Sequence, residues 1–236
     1  MMNLFLSVQN GIDEIVTQVT AAPIQETQVV EMNLWELALK GGWIMIPIGL
    51  LLFLSVVVFI ERLLVINHAA KEDASFMNRI KDYIHDGKIE SALNLCRTIN
   101  TPTAHMIEKG ISRLGRPMND IQIAIENVGN IEVSKLEKGF PWVATAAAAA
   151  PMIGFLGTVT GMVRAFFDMA NAGANVDIAL LSSGIYEALI TTVAGLIVGI
   201  IAMLCHNYLT AQVNGVVNHL ETHSMEFMDL LNEPTN

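Results

Sequence analysis

The chain has 236 residues, 53% of them hydrophobic and only 15% charged, with a formal net charge of −10 and a mean hydropathy of +0.48. That is too apolar for an ordinary soluble domain and points to a bilayer as the solvent. The basic residues form no nucleic-acid footprint, and two cysteines far apart in sequence, Cys96 and Cys205, suggest neither a disulfide nor a metal site.

Residues 1–32 contain no Lys or Arg, and Leu4, Val8, Ile12, Ile15, Val16 and Val19 recur at helical spacing. The pattern predicts an amphipathic helix lying on the outer membrane surface, with a cleaved signal ending near Ala22 as the alternative. Asn33 reads as a helix N-cap. Crossing roughly 30 Å of hydrocarbon takes about 20 helical residues, and three stretches meet that need. The first transmembrane helix is assigned to 33–60, the second to 140–163 and the third to 178–204. Between the first two, 61–139 reads as a helical loop, with pieces near Ala74 to His85, Lys88 to Thr98 and Thr103 to Leu114. Turn signals at Asp86-Gly87, Thr101-Pro102 and Gly115-Pro117 separate them. A further helical pattern from Asn119 runs toward the second span, and the third span continues into a tail over 205–236. The fold class is therefore all-α membrane protein, with three transmembrane helices and with spans two and three extended as long helices.

Orientation follows from basic residues, which are retained on the cytoplasmic side. Of the 13 Lys and Arg, 11 lie between Arg62 and Lys138. The 61–139 loop is therefore expected to be cytoplasmic, the N-terminal segment and the 164–177 loop periplasmic, and the tail cytoplasmic. Only His219 and His223, four residues apart, stand at ligand spacing among the histidines, and on a polar tail such a pair more often lies in solvent than on a metal, so no metal site and no cofactor are expected. Walker loops, GxSxG and HExxH are all missing from the sequence, and no catalytic residues are assigned.

Span two carries "AAAAAPMIGFLGTVTGMV", Ala146 to Val163, five alanines, a proline and three glycines without a charge. Helices in lipid gain little hydrophobic energy by pairing, so they associate through close backbone contact that small residues permit. Gly154, Gly157 and Gly161 share one side of span two, and Gly195 and Gly199 do the same on span three. Pro151 removes one helical hydrogen bond and is expected to kink its helix. Glu187 is the unusual residue. An ionisable group within a span costs roughly 2.5–3.5 kcal/mol on insertion scales and commonly marks an ion path or a partner contact. Thr191 lies one turn further along the same face, Thr192 is its neighbour, and span two offers Thr145, Thr158 and Thr160. A threonine bonded back to its own helix is the plain alternative for each hydroxyl.

The order of three spans, the large loop after the first, "APMIGFLGTVTGM" in span two and "GIYEALITTVAGLIVGI" in span three resemble the ExbB/TolQ subunits of bacterial inner-membrane energy-transducing motors, relatives of the flagellar stator protein MotA. The resemblance is specific over residues 140–209. It implies a homopentamer around two copies of a single-span partner, ExbD or TolR, in which proton flow down its gradient does mechanical work on TonB or TolA. By match, Glu187 stands where the family has its intramembrane glutamate and Thr192 where it has its span-three threonine. The transported proton is, by the same resemblance, carried mainly by an aspartate of the partner. This chain departs in one place: Ala149 stands where a threonine is common, and Thr145, one turn away on the same face, is the available substitute. A non-transporting scaffold that holds a partner helix is the competing reading.

Overall fold

The computed structural model describes residues 41–71, 75–171 and 178–232, with side chains from Leu181 onward in the last stretch. The N-terminal amphipathic helix, the Asn33 cap and residues 172–177 of the short loop lie outside the described residues. The described residues are helical apart from the connections. Among the described residues seven helices follow in order: α1 (Met45–Ala69), α2 (Phe76–His85), α3 (Ile89–Ile99), α4 (Pro102–Ile111), α5 (Met118–Leu136), α6 (Phe140–Asn171) and α7 (Ile178–Asn232). α1, α6 and α7 are long and apolar enough to cross a membrane.

Their surfaces say what surrounds them. Leu50 and Phe53 on α1, Met152, Phe155 and Val163 on α6, and Ile200 and Leu204 on α7 are all exposed. In water each would represent apolar area left unburied, whereas hydrocarbon solvates it. Inside this group, α6 and α7 make the most extensive contact of the fold. α1 lies against both, through Ile44 and Ile48 packed with Ala150 and Val198.

The short helices build a core of the soluble kind. Phe76, Ile80, Ala92, Cys96, Ile107, Ile111 and Ile125 are buried together with Leu209, Val213, Leu220 and Phe227 of α7. The α3–α4 corner shows how sequence dictates this arrangement. Asn100 adopts the left-handed conformation (φ 51°) and closes α3 with its N–H on the Cys96 carbonyl, as a C-terminal cap does. Thr101 then caps α4, its Oγ1 accepting from Ala104 N at 3.3 Å, and Pro102 occupies the first turn, where a missing N–H costs nothing.

Helix lengths differ from the sequence expectation in instructive ways. α1 runs on past Glu61 and Arg62 to Ala69, and α6 past Arg164 to Asn171, because charge ends an apolar stretch without ending a helix. The extension of span two is in two pieces, α5 and α6, since the chain turns over 137–139 at Gly139, whose φ is +95°. A Cβ there would lie 3.1 Å from Val58 Cγ1, so the same glycine also lets α1 approach. α7, by contrast, continues without a break for 55 residues, from the apolar layer to the end of the soluble core.

Candidate functional site

The α6–α7 contact is built from missing side chains. A Cβ on Gly195 would lie 2.5 Å from the Ala150 carbonyl oxygen and 2.9 Å from Gly154 Cα, and one on Gly154 would lie 2.8 Å from the Thr191 carbonyl oxygen. Both obstacles are backbone, which cannot rotate away. Gly161 faces Ala188 (2.8 Å to its Cβ), and a side chain on Gly157 would collide with the Thr191 hydroxyl. Gly184 does the same on the other side, 2.7 Å from Ala165 Cβ. α6 passes through Pro151 as continuous helix. The proline ring packs on Gly199, where a Cβ would lie 2.5 Å from Pro151 Cγ and 3.1 Å from the Ala147 carbonyl, the acceptor that Pro151 leaves without its helical donor.

This close approach brings three hydroxyls onto two carbonyls. Thr191, buried, donates to the Ala188 carbonyl at 2.7 Å, and Thr192 donates across the helix pair to the Gly154 carbonyl at 3.1 Å. Thr158 Oγ1 touches the Thr192 hydroxyl and lies 3.2 Å from the Ala188 carbonyl. With one proton per hydroxyl, the cluster is satisfied if Thr191 and Thr192 take the two carbonyls and Thr158 donates to Thr192. The result is a chain of polar groups inside an otherwise apolar helix pair.

Glu187 opens that chain to the outside. It lines a cleft of about 270 Å³ between α6, α7 and the segment preceding α1, with Thr160 and Thr191 on the inner side and Arg164, Asp168 and Ser183 toward the end of the helices. Arg164 and Asp168 are four residues apart and so share a face of α6. Gly42, at φ +67°, faces the carboxylate so closely that a side chain there would collide with Glu187 Oε1. A glycine is therefore required twice over at this position, for its backbone conformation and for the space.

Of the residues singled out from sequence, the structure gathers Glu187, Thr191, Thr192 and Thr158 with the five glycines along one helix pair. Thr145 stands apart: it is exposed, bonds back to the Pro141 carbonyl at 2.7 Å, and lies 13 residues, about 20 Å of helix, from Thr158. Ser183, expected from sequence at the outer entrance of span three, does line the cleft, whereas sequence reasoning missed Gly42, Arg164, Asp168 and Gly184 as parts of the site. The paired Gly41-Gly42 just before an apolar run was the one signal available for the first. The charged pair read only as the end of a span.

The family model for the MotA/TolQ/ExbB proton channel family matches residues 98–222. Among curated relatives, the Tol-Pal system protein TolQ of Haemophilus influenzae is 30% identical over 217 residues, covering 85% of this chain and 94% of that protein. A putative biopolymer transport protein ExbB homolog of Methanothermobacter thermautotrophicus is 30% identical over 142 residues, 60% of this chain, and the match spans only half (50%) of that relative. The biopolymer transport protein ExbB of Neisseria meningitidis is 26% identical over 196 residues, 75% of this chain and 87% of that protein. The family match begins in α3 and runs through α5, the glycine-lined helix pair, the threonine cluster and Glu187 into the α7 extension; on this evidence the chain is a membrane protein belonging to the MotA/TolQ/ExbB proton channel family.

Proposed function

We propose that this chain is an ExbB/TolQ-type subunit of the bacterial inner membrane that works with a single-span ExbD/TolR-like partner. Together they would convert proton flow into mechanical work on a TonB/TolA-type protein serving outer-membrane transport. In this reading five copies surround the partner helices, the N-terminus is periplasmic, 61–139 and the tail are cytoplasmic, and residues 164–177 return through the periplasm. The chain binds no cofactor and catalyses no covalent step.

One observation carries the reading: a carboxylate, Glu187, lines a cleft whose inner side is continuous with the hydroxyls of Thr191, Thr192 and Thr158. Such a group is costly in hydrocarbon and persists where it meets water, protons or a polar partner. A carboxylate can take up and release a proton, and hydroxyls can each accept one hydrogen bond while donating another. Glu187 and the threonines would form the polar wall along which the partner's own acid passes. Each proton crossing about 100 mV releases roughly 2.3 kcal/mol, so useful work requires many passages coupled to movement.

The test is partner-dependent proton flux in vesicles, measured with native mass on the same preparation. Glu187→Gln keeps the shape and loses the titratable group; it is expected to leave the complex assembled and to abolish flux. Glu187→Asp is expected to retain a fraction. Full flux in Glu187→Gln would remove Glu187 from the proton path, absence of flux from the wild-type complex would favour the scaffold reading, and lost assembly would make the glutamate structural.

A further inference from the structure

The three apolar helices change character at one level. Glu61 and Arg62 follow Ile60 on α1, Lys138 precedes Phe140 at the start of α6, and His206 follows Leu204 on α7. The fold stacks these positions. The Phe59 and Tyr208 rings lie 6.1 Å apart, the Phe140 and His206 rings 6.0 Å apart, and Arg62 Nη1 donates to the Lys135 carbonyl at 3.2 Å. Trp142, 63% exposed one half-turn into α6, is the kind of residue that sits at the headgroup layer.

At that level a cavity of about 1280 Å³ opens between the α5–α6 junction and α7. Asn130, Ser134 and Lys138 give it a polar wall with donors, and Phe140, Pro141 and Ala144 give it an apolar wall on the membrane side. Two lysines line it, and their positions are unequal. Lys135 is engaged with Glu132 at 2.7 Å, whereas Lys138 makes no ion pair among the described residues. The N-terminus of α6, a 32-residue helix, adds the positive end of its dipole beside Lys138. Its first amides are already used, Phe140 N on the Glu137 carbonyl and Trp142 N on Gly139, both at 3.0 Å, so contact with a ligand falls to the side chains. Glu137 on the rim opposes a second negative charge, which favours a monoanion.

We propose that this cavity binds the headgroup of an anionic phospholipid in the leaflet that meets the start of α6, with Lys138 as its cation and Ser134 and Asn130 as donors. A polar wall above an apolar wall fits a phosphodiester continued by acyl chains and does not fit a free anion. Basic pockets between membrane helices are where such headgroups are held. The site rests on the chain spanning a membrane and not on its conducting protons, so it stands or falls separately from the function proposed above.

The full-length protein is reconstituted in nanodiscs of phosphatidylcholine with and without phosphatidylglycerol, released into mild detergent, and the retained lipids are counted by native mass spectrometry. The wild type is expected to retain phosphatidylglycerol in preference to phosphatidylcholine. Lys138→Gln should weaken that preference about five-fold, the equivalent of roughly 1 kcal/mol for one basic residue at an anionic surface. Ser134→Glu, on an exposed position of α5, should do the same by repulsion with Lys138 intact. Lys109→Gln, an equal loss of charge on α4, should leave it unchanged. Equal retention by wild type and Lys138→Gln overturns the proposal, as does an equal loss in Lys109→Gln, which would mean diffuse charge. Displacement of the lipid by inorganic phosphate alone would also overturn it, by showing a simple anion site.

Discussion

The two halves of this molecule hold helices together by opposite means. Around Phe227, Ile107 and Ile125, helices are kept apart by large side chains that fill the space between them, and water drives the burial. Even there one contact is tight: a Cβ on Gly110 would lie 2.6 Å from Phe227 Cε1. Along α6 and α7 nothing large intervenes; backbone meets backbone at Gly154 and Gly195, and the large side chains point outward. The difference follows from solvent. Where the surroundings are as apolar as leucine, burial of leucine earns nothing, and only close packing and hydrogen bonds distinguish the folded pair from separated helices.

Adding volume should therefore break the membrane half, and removing it should break the other. Gly195→Leu places a side chain against the Ala150 carbonyl, which cannot yield. It is expected to lose the α6–α7 pair outright, seen as failure to recover folded protein in mild detergent. Normal recovery and melting for Gly195→Leu would mean the pair separates without cost, and the contrast between the halves would fall.

Phe227→Ala should cost about 3–5 kcal/mol, as truncation of a buried aromatic does, and lower the melting temperature of the soluble half. A shift of less than a degree would show that α7 contributes little to that core.

Cys96 reports on the same core through pH. Burial, with a smaller contribution from Glu108, pushes its thiol up to about 12, from an ordinary value of 9.0. The folded state thus holds its proton where the unfolded chain releases it. The sign is fixed: the stabilisation is complete below pH 9 and is lost as pH rises toward 12. Cys96→Ala should flatten that part of the stability profile, and maleimide should leave the wild-type thiol unlabelled at pH 8 until the core is opened. An identical alkaline slope in Cys96→Ala would assign the loss to other groups.

The smallest effect is expected on the surface, where Arg97 meets Glu108 at 2.8 Å with the arginine 65% exposed. Arg97→Ala should change unfolding free energy by about 0.2–1 kcal/mol, and less at high salt. A loss comparable to that of Phe227→Ala would give the α3–α4 contact a weight that its exposure does not suggest.

Thr145 shows what residue identity alone leaves open about position. It shares a face with Ala149, as helical spacing requires, and so reads as a substitute hydroxyl for the polar wall. The structure places it 13 residues, about 20 Å of helix, from Thr158 and bonded to its own helix. Spacing along one helix fixes a direction around the axis; it does not say which neighbour stands at that height.

Sequence by itself determined the apolar helices and the short helices with their turn at Thr101-Pro102, and it singled out Glu187, because each follows from local hydropathy, turn chemistry or one costly charge. The chain turn at Gly139 and the continuation of helices beyond Arg62 and Arg164 were decided by packing, since helix propensity does not register where the bilayer stops. Only the tertiary structure joined Gly42 to Glu187 and set Thr158 against Thr192. Those pairs lie 145 and 34 residues apart, and their meeting depends on how deeply two backbones interpenetrate, a property of both helices that neither sequence segment contains alone.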